Sequence, residues 1–168
     1  WIQQGAVVGL QGGSERVRRH YHALKNSGTP ISAVWLQDWD GRRMTLGGSA
    51  TQLWWNRERD TTLYPDWAQP VGEHERDNER IMGYFNPFLV DASSKGELSR
   101  NLYQDALDND FLVKDNSGDP YSIDITDFSA GLVDLSNPKA FALLKNVINQ
   151  QVKRNRFSGW MADFGEAL

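Results

Sequence analysis

The strongest constraint on this chain is a rhythm of four short apolar runs, each closed by polar residues and separated from the next by helical or irregular sequence. The first, Ala6-Val7-Val8-Gly9-Leu10, ends at Gly12-Gly13, and the second, Ile31-Ser32-Ala33-Val34-Trp35-Leu36, runs into Gln37-Asp38-Trp39-Asp40-Gly41. The third occupies residues 80–88 and ends at Asn86-Pro87, while the fourth, Phe157-Ser158-Gly159-Trp160-Met161-Ala162, delivers Asp163 and Glu166 at its end. Short, nearly continuous apolar runs are the mark of strands covered on both faces, as in a parallel sheet. Parallel neighbours need crossover helices, and polar residues at the carboxyl ends of such strands are where α/β enzymes hold their chemistry.

The intervening sequence supplies the crossovers. Ser14 is the predicted N-cap of a helix on which Val17, Tyr21, Leu24 and Lys25 recur at helical spacing before Asn26-Ser27-Gly28. Residues 42–70 lack periodicity and read as one long loop, of the kind that is usually functional, carrying Trp54, Trp55 and Trp67. The charged residues 71–79 read as a short exposed helix or loop, and residues 98–107 as a helix. Residues 111–135 alternate around Asn116-Ser117-Gly118-Asp119, which predicts an inserted hairpin. Asn137-Pro138 opens an amphipathic helix to about Arg154, with Phe141, Leu144, Lys145, Ile148 and Val152 as its expected buried stripe. The expected fold is therefore α/β, a partial (β/α)8 TIM barrel made of its first four strand-helix units with an inserted hairpin. A doubly wound open sheet is the rival, but no Gly-x-Gly-x-x-Gly turn or phosphate loop supports it.

Composition removes whole classes of function. The net charge of −4, with both signs interspersed, lacks the basic footprint of a nucleic-acid binder. No apolar run approaches the ~20 residues that span a bilayer, so no membrane partner is expected. Without cysteine there are no disulfides, thiolate metal sites or thiol nucleophiles, and a reducing cytoplasm is the compatible compartment. His20 and His22 lie two apart and share no helix face, so they make a poor metal pair. Asp115-Asn116-Ser117-Gly118-Asp119 places its Gly too early for a calcium loop and has no closing glutamate. The mixed charges of residues 73–80 read as a solvated face, and Ser158 lacks the Gly-x-Ser-x-Gly elbow.

What remains is a pair of acids at a strand end and an excess of tryptophan, 7 in 168 residues. Glycosidic cleavage needs one carboxylate to trap an oxocarbenium-like centre and a second carboxyl to protonate the leaving oxygen. Asp163 and Glu166 invite that role, although acids after a strand also cap helices. Tryptophan faces stack on sugar rings, although they also fill cores.

The motif Trp160-Met161-Ala162-Asp163-Phe164-Gly165-Glu166 resembles the nucleophile motif of glycoside hydrolase family 31, and its Phe-Gly-Glu ending resembles the sulfoquinovosidase branch. Gly9-Leu10-Gln11-Gly12-Gly13, Trp35-Leu36-Gln37-Asp38-Trp39, Arg43-Met44-Thr45, Trp54-Trp55-Asn56, Tyr64-Pro65, Asn86-Pro87 and Val133-Asp134-Leu135 follow in the order of that branch, across nearly the whole chain. The resemblance implies an N-terminal portion of a longer catalytic barrel that cleaves small α-glycosides with retention and without metal or organic cofactor. It implies Asp163 as the nucleophile, and a general acid/base that follows a later strand beyond Leu168. The isolated segment is expected to be inactive, and its unpaired sheet edges to favour a homo-oligomer.

In that branch the positions of Gln37 and Trp55, with an Arg at the position of Gln52, hold the sulfonate of the sugar. Here Gln52 is neutral, in a loop longer than the family pattern, and Arg42, Arg43, Arg57 and Arg59 are the nearby cations, Arg43 already matching another motif position. Asp38 is expected as a sugar-hydroxyl or structural hydrogen-bond partner, and Trp160 and Glu166 complete the substrate-binding candidates. A neutral α-glucoside or α-galactoside is the alternative substrate. A non-catalytic carbohydrate-binding homologue, stacking sugar on Trp39, Trp54 and Trp55, is the alternative function.

Overall fold

The structure is a computed structural model describing residues 2–96 and 98–164. Four strands, β1 (Ala6–Leu10), β2 (Ile31–Leu36), β5 (Arg80–Phe85) and β9 (Gly159–Ala162), form one parallel sheet in the order of the chain. Between them run α1 (Ser14–Asn26), α2 (Ala68–Arg76) and α4 (Pro138–Asn155). Sequential parallel strands joined by helices are half of a (β/α)8 barrel, as the four apolar runs predict.

Two antiparallel pieces are inserted at the carboxyl ends of the strands. After β2, where the expected long loop begins, the structure has instead the hairpin β3 (Arg42–Thr45) and β4 (Ala50–Leu53). Its strands hold only four residues each, too short for a period-2 pattern to stand out. After β5 come β6 (Phe88–Leu89), the short α3 (Leu102–Asp108), β7 (Ser122–Ile125) and β8 (Phe128–Leu132), giving a three-stranded sheet ordered β6-β8-β7. The predicted turn exists: the Asp115 carboxylate accepts from the Ser117 and Asp119 amides at 2.8 and 3.1 Å. The hairpin proper turns later, between β7 and β8, where Thr126 takes a left-handed φ of 58°.

Sheet residues alternate between two faces. Val34, Leu36, Ile81 and Phe85 join Val17 and Tyr21 of α1, Val71 of α2, and Trp39, Trp67 and Phe157 in the main core. Gly83 belongs to this face because a Cβ there would lie 2.8 Å from the Phe157 ring. A second core, Leu89, Leu102, Ala106, Leu112, Val133, Ala140 and Val147, fills the space under α3, α4 and the small sheet.

Several local expectations are corrected. Gly13, not Ser14, is the N-cap of α1, and no side-chain cap bond forms there. Residues 71–79 are not an exposed segment, since Val71, His74 and Glu79 are buried. His74 Nδ1 lies 2.9 Å from Glu79, and Glu79 also accepts from Lys25 at 2.7 Å, so the buried polar groups of this segment have partners. α3 begins at Leu102, where the Asn101 side chain accepts from the Gln104 amide, rather than at residue 98. On α4 the N-cap is Asn137 with Pro138 in the first turn, as read, but the buried stripe is Ala140, Leu144, Val147, Gln151 and Asn155. Phe141 and Lys145, expected inside, are exposed.

The tight seat of Gly83 yields a first expected outcome. Gly83→Ala destabilises the protein by about 1–3 kcal/mol through overpacking, and Phe157→Leu in the same background recovers part of that loss. Urea midpoints of the two single variants and the double variant measure it; strict additivity would refute the contact.

Candidate active site

The period of two along each strand decides what faces the cleft. On the face away from the helices, Trp35 and Gln37 follow one another on β2 and its exit, Tyr84 lies near the end of β5, and Met161 is followed by Asp163 on β9. The ladder pairs Tyr84 with Met161, so Tyr84 and Asp163 are diagonal neighbours, and the Tyr84 hydroxyl donates to Asp163 Oδ2 at 2.7 Å. Burial, reinforced by that hydrogen bond, pushes the Tyr84 phenol well above the ordinary tyrosine range, which keeps it a donor. The Asp163 amide donates to the Phe85 carbonyl at 3.1 Å, fixing the backbone where the strand ends. Asp163 itself is exposed.

Asp163 opens on a cleft of about 410 Å³, within the range of small-ligand sites. Its floor is Gln11, Gln37 and Tyr84 from the strand ends; Arg42, Thr51, Gln52 and Leu53 of the first hairpin, together with Trp55, line one side, and Ile125 and Phe164 complete it. Two larger hollows, about 500 and 550 Å³, lie elsewhere: one between α1 and residues 62–74, the other around Trp54, Arg59, Lys95 and Arg154. Size alone would select those; position at the carboxyl ends of the parallel strands selects the smaller cleft.

Trp55 is held in a left-handed conformation, φ 52°, and its ring packs with Phe88, Phe128 and Phe164 at centroid distances of 5.7, 6.2 and 5.9 Å. Its indole N–H and the Gln52 side-chain oxygen are buried without a hydrogen-bond partner among the described residues. Unpaired buried polar atoms beside a cleft are groups that a polar ligand can satisfy.

The structure thus brings Gln37, Gln52, Trp55 and Asp163 of the candidate set around one cleft. Asp38 is not exposed in it. It is fully buried, accepting from the Gly12 amide at 2.8 Å and from the Tyr64 hydroxyl, with Arg42 Nε 3.8 Å away. Of its two expected roles the geometry displays the structural one. Trp160 is corrected outright: three residues from Asp163 on a strand, it stands on the opposite face, with its ring 5.9 Å from Phe85 of the helix-side core. The same holds for Trp39, fully buried and donating its indole N–H to the Tyr84 carbonyl at 2.9 Å. Glu166 lies outside the described residues.

Tyr84 and Ile125 were missed by the sequence reading. Tyr84 could have been found by counting back in twos from the end of its strand, whereas nothing local marks Ile125, which arrives from a distant hairpin.

The model for the glycosyl hydrolases family 31 TIM-barrel domain matches residues 5–168. This chain belongs to glycoside hydrolase family 31. It is 34% identical over 168 residues to a sulfoquinovosidase of Escherichia coli K12 and 33% identical over 171 residues to a sulfoquinovosidase of Agrobacterium fabrum C58, in each case across 100% of the chain and 24% of the relative. The chain therefore spans about a quarter of the length of these curated relatives. Among solved structures, a family 31 sulfoquinovosidase from E. rectale, in complex with an aza-sugar inhibitor, superposes with a TM-score of 0.84 at 31% identity, covering 99% of this chain and 24% of that one. A family 31 dextranase of Flavobacterium johnsoniae complexed with glucose, 14% identical with a TM-score of 0.73, covers 96% of this chain and 18% of its own and shares the fold.

The burial of Asp38 separates its two roles experimentally. Asp38→Ala leaves the Gly12 amide and the Tyr64 hydroxyl without their acceptor and costs about 2–4 kcal/mol, more than Tyr64→Phe at about 1–2 kcal/mol. Thermal or urea unfolding checks this; equal and negligible effects of both changes would show that the buried carboxylate does not organise the loops.

Proposed function

We propose that this chain is the N-terminal portion of the catalytic barrel of a retaining α-glycoside hydrolase, with Asp163 as the nucleophile. The observation that carries the reading is the position of Asp163: an exposed carboxylate at the end of the fourth parallel strand, oriented by Tyr84, facing a sugar-sized cleft. In the double displacement, Asp163 attacks the anomeric carbon to form a covalent glycosyl-enzyme as the glycosidic C–O bond breaks and the general acid protonates the departing aglycone oxygen. Water, deprotonated by the same group acting as base, then attacks that carbon and releases the Asp163 carboxylate, with net retention. The general acid/base is supplied by a later part of the same barrel. Tyr84 holds one carboxylate oxygen and leaves the other free to attack, and Trp55 forms an apolar wall whose N–H remains available to the sugar.

The substrate class follows from the relatives and the cleft together: α-sulfoquinovosides or related α-hexosides. Gln37 and Trp55 occupy the cleft, as the sulfonate-binding positions of the sulfoquinovosidase branch would require, while Gln52 provides a neutral amide where that branch has Arg. The neutral residue at this position specifically favours a second reading, an α-glucosidase or α-galactosidase acting on uncharged sugars.

A mechanism-based fluoro-glycoside inhibitor applied to the full-length enzyme is expected to add one glycosyl mass on the peptide containing Asp163, and Asp163→Asn to abolish both labelling and turnover. Labelling elsewhere, or turnover unaffected by Asp163→Asn, would sink the assignment, and binding of α-hexosides with neither labelling nor turnover would favour a non-catalytic carbohydrate-binding protein.

A further inference from the structure

This inference rests on the glycosidase reading and deepens it by naming the residue that sets charge preference. Four arginines follow β2 closely in sequence, and the fold separates them. Arg57 is fully buried at a left-handed φ of 60°; its guanidinium faces Asp40 at 3.4 Å and donates to the Asn86 and Phe88 carbonyls at 2.9 and 2.6 Å. Arg43 is stacked between aromatic rings, 4.3 Å from the Trp54 centroid and 3.5 Å from that of Phe128. Arg59 lies 5.4 Å over Trp67 and borders the separate hollow near Arg154. Arg42 remains: among the described residues it is the one cationic side chain that lines the cleft of Asp163.

Arg42 is braced at Nε, and among the described residues its two terminal nitrogens make no ion pair. Its side chain is 29% exposed, and its ion contact is a long one, Nε to Asp38 Oδ2 at 3.8 Å, to a carboxylate that already accepts from Gly12 and Tyr64. In the β3–β4 ladder it sits opposite Leu53, which also lines the cleft, so the hairpin fixes its origin. The other charged side chain lining this cleft is Asp163, an anion. A glycone carrying its own negative charge would be repelled by Asp163 unless a cation shared the cleft, whereas a neutral sugar has no need of one.

We propose that Arg42 is the specificity-determining cation of this site, binding an anionic group on the glycone while Gln37, Gln52 and the Trp55 indole N–H serve as neutral donors around it. The guanidinium fork suits a sulfonate or a carboxylate alike, each through charge-assisted, paired hydrogen bonds. Arg42, opposite Leu53 while Gln52 stands opposite Arg43, thereby supplies to the same cleft the charge that Gln52 lacks.

The test compares kcat/KM of the full-length enzyme and its Arg42→Gln and Arg42→Lys variants on three 4-nitrophenyl α-glycosides: the sulfoquinovoside, the glucuronide and the glucoside. The glucoside is the internal control for folding. Arg42→Gln is expected to lower kcat/KM on the preferred anionic glycoside about ten- to a hundredfold more than on the glucoside, mainly through KM. Arg42→Lys should retain part of the anionic preference. Which anionic arm is affected distinguishes sulfonate from carboxylate. An equal loss on all three glycosides, or no loss on either anionic one in an enzyme that still labels at Asp163, overturns the assignment of Arg42 alone. A wild type that turns over none of the three and takes no label overturns the glycosidase reading and the proposal with it.

Discussion

Two carboxylates at zero exposure, Asp38 and Asp40, hold the mouth of this half-barrel together. A buried carboxylate must find donors, and through theirs these two tie together the loops at the carboxyl ends of the first three strands, the third by way of Arg57. Asp38 takes the Gly12 amide from the β1–α1 turn and the Tyr64 hydroxyl from the segment before α2. Asp40 takes the Arg57 amide and guanidinium, and Arg57 in turn reaches the Asn86 and Phe88 carbonyls beyond β5. Burial pushes the Asp40 carboxyl up and the Arg57 guanidinium down, and each partly offsets the other. Such a pair adds little net stability over apolar packing, but breaking one side of it is costly. It fixes loop positions around the strand ends.

The wall of the cleft, by contrast, comes from the insertions. The tip of the β3–β4 hairpin is tied to the β7–β8 turn by the Leu46 amide donating to Asp127, and Arg43 of the first hairpin lies over Phe128 of the second. Phe128 also meets Trp55, and Ile125, three residues earlier, lines the cleft. The strand ends thus place Gln37, Tyr84 and Asp163, and the two hairpins shape the wall around them, a division of labour that lets a barrel vary its site through its inserted segments.

The barrel half was legible because its evidence is local. Four apolar runs, Pro138 at a helix start and Gly12-Gly13 at a strand end each constrain the backbone without reference to anything distant. The position of Asp163 was legible for the same reason, one residue past a strand. The failures have a different origin. The buried face of α4 shifted because the small sheet under it accepts Ala140 and Val147, a fact recorded only in residues 88–133. Whether Asp38 meets sugar or structure, and whether Trp39 faces the site, was not readable at the strand end, because their hydrogen-bond partners lie 26 to 45 positions away. Trp160 is the one error that local physics already contained, since a residue three before Asp163 on a strand must point to the other face.

The contrast between Arg42 and Arg43 carries this reasoning to the question of substrate. Adjacent residues on β3 point to opposite faces, so one arginine must go to each side of the hairpin. On one side Arg43 meets Trp54 and Phe128, where desolvation lowers its pKa to about 10 while the two rings compensate part of the lost hydration. On the other side Arg42 meets the cleft and a carboxylate whose oxygens are already in use. A guanidinium with an occupied counter-ion at 3.8 Å keeps most of its capacity for a ligand anion, and the ligand would complete the bidentate geometry that Asp38 cannot offer. On the proposed reading the cleft keeps a cation while Gln52 is neutral: across the ribbon Gln52 pairs with Arg43 and Leu53 with Arg42, and it is at the rim shared by Arg42, Gln52 and Leu53 that the charge is supplied.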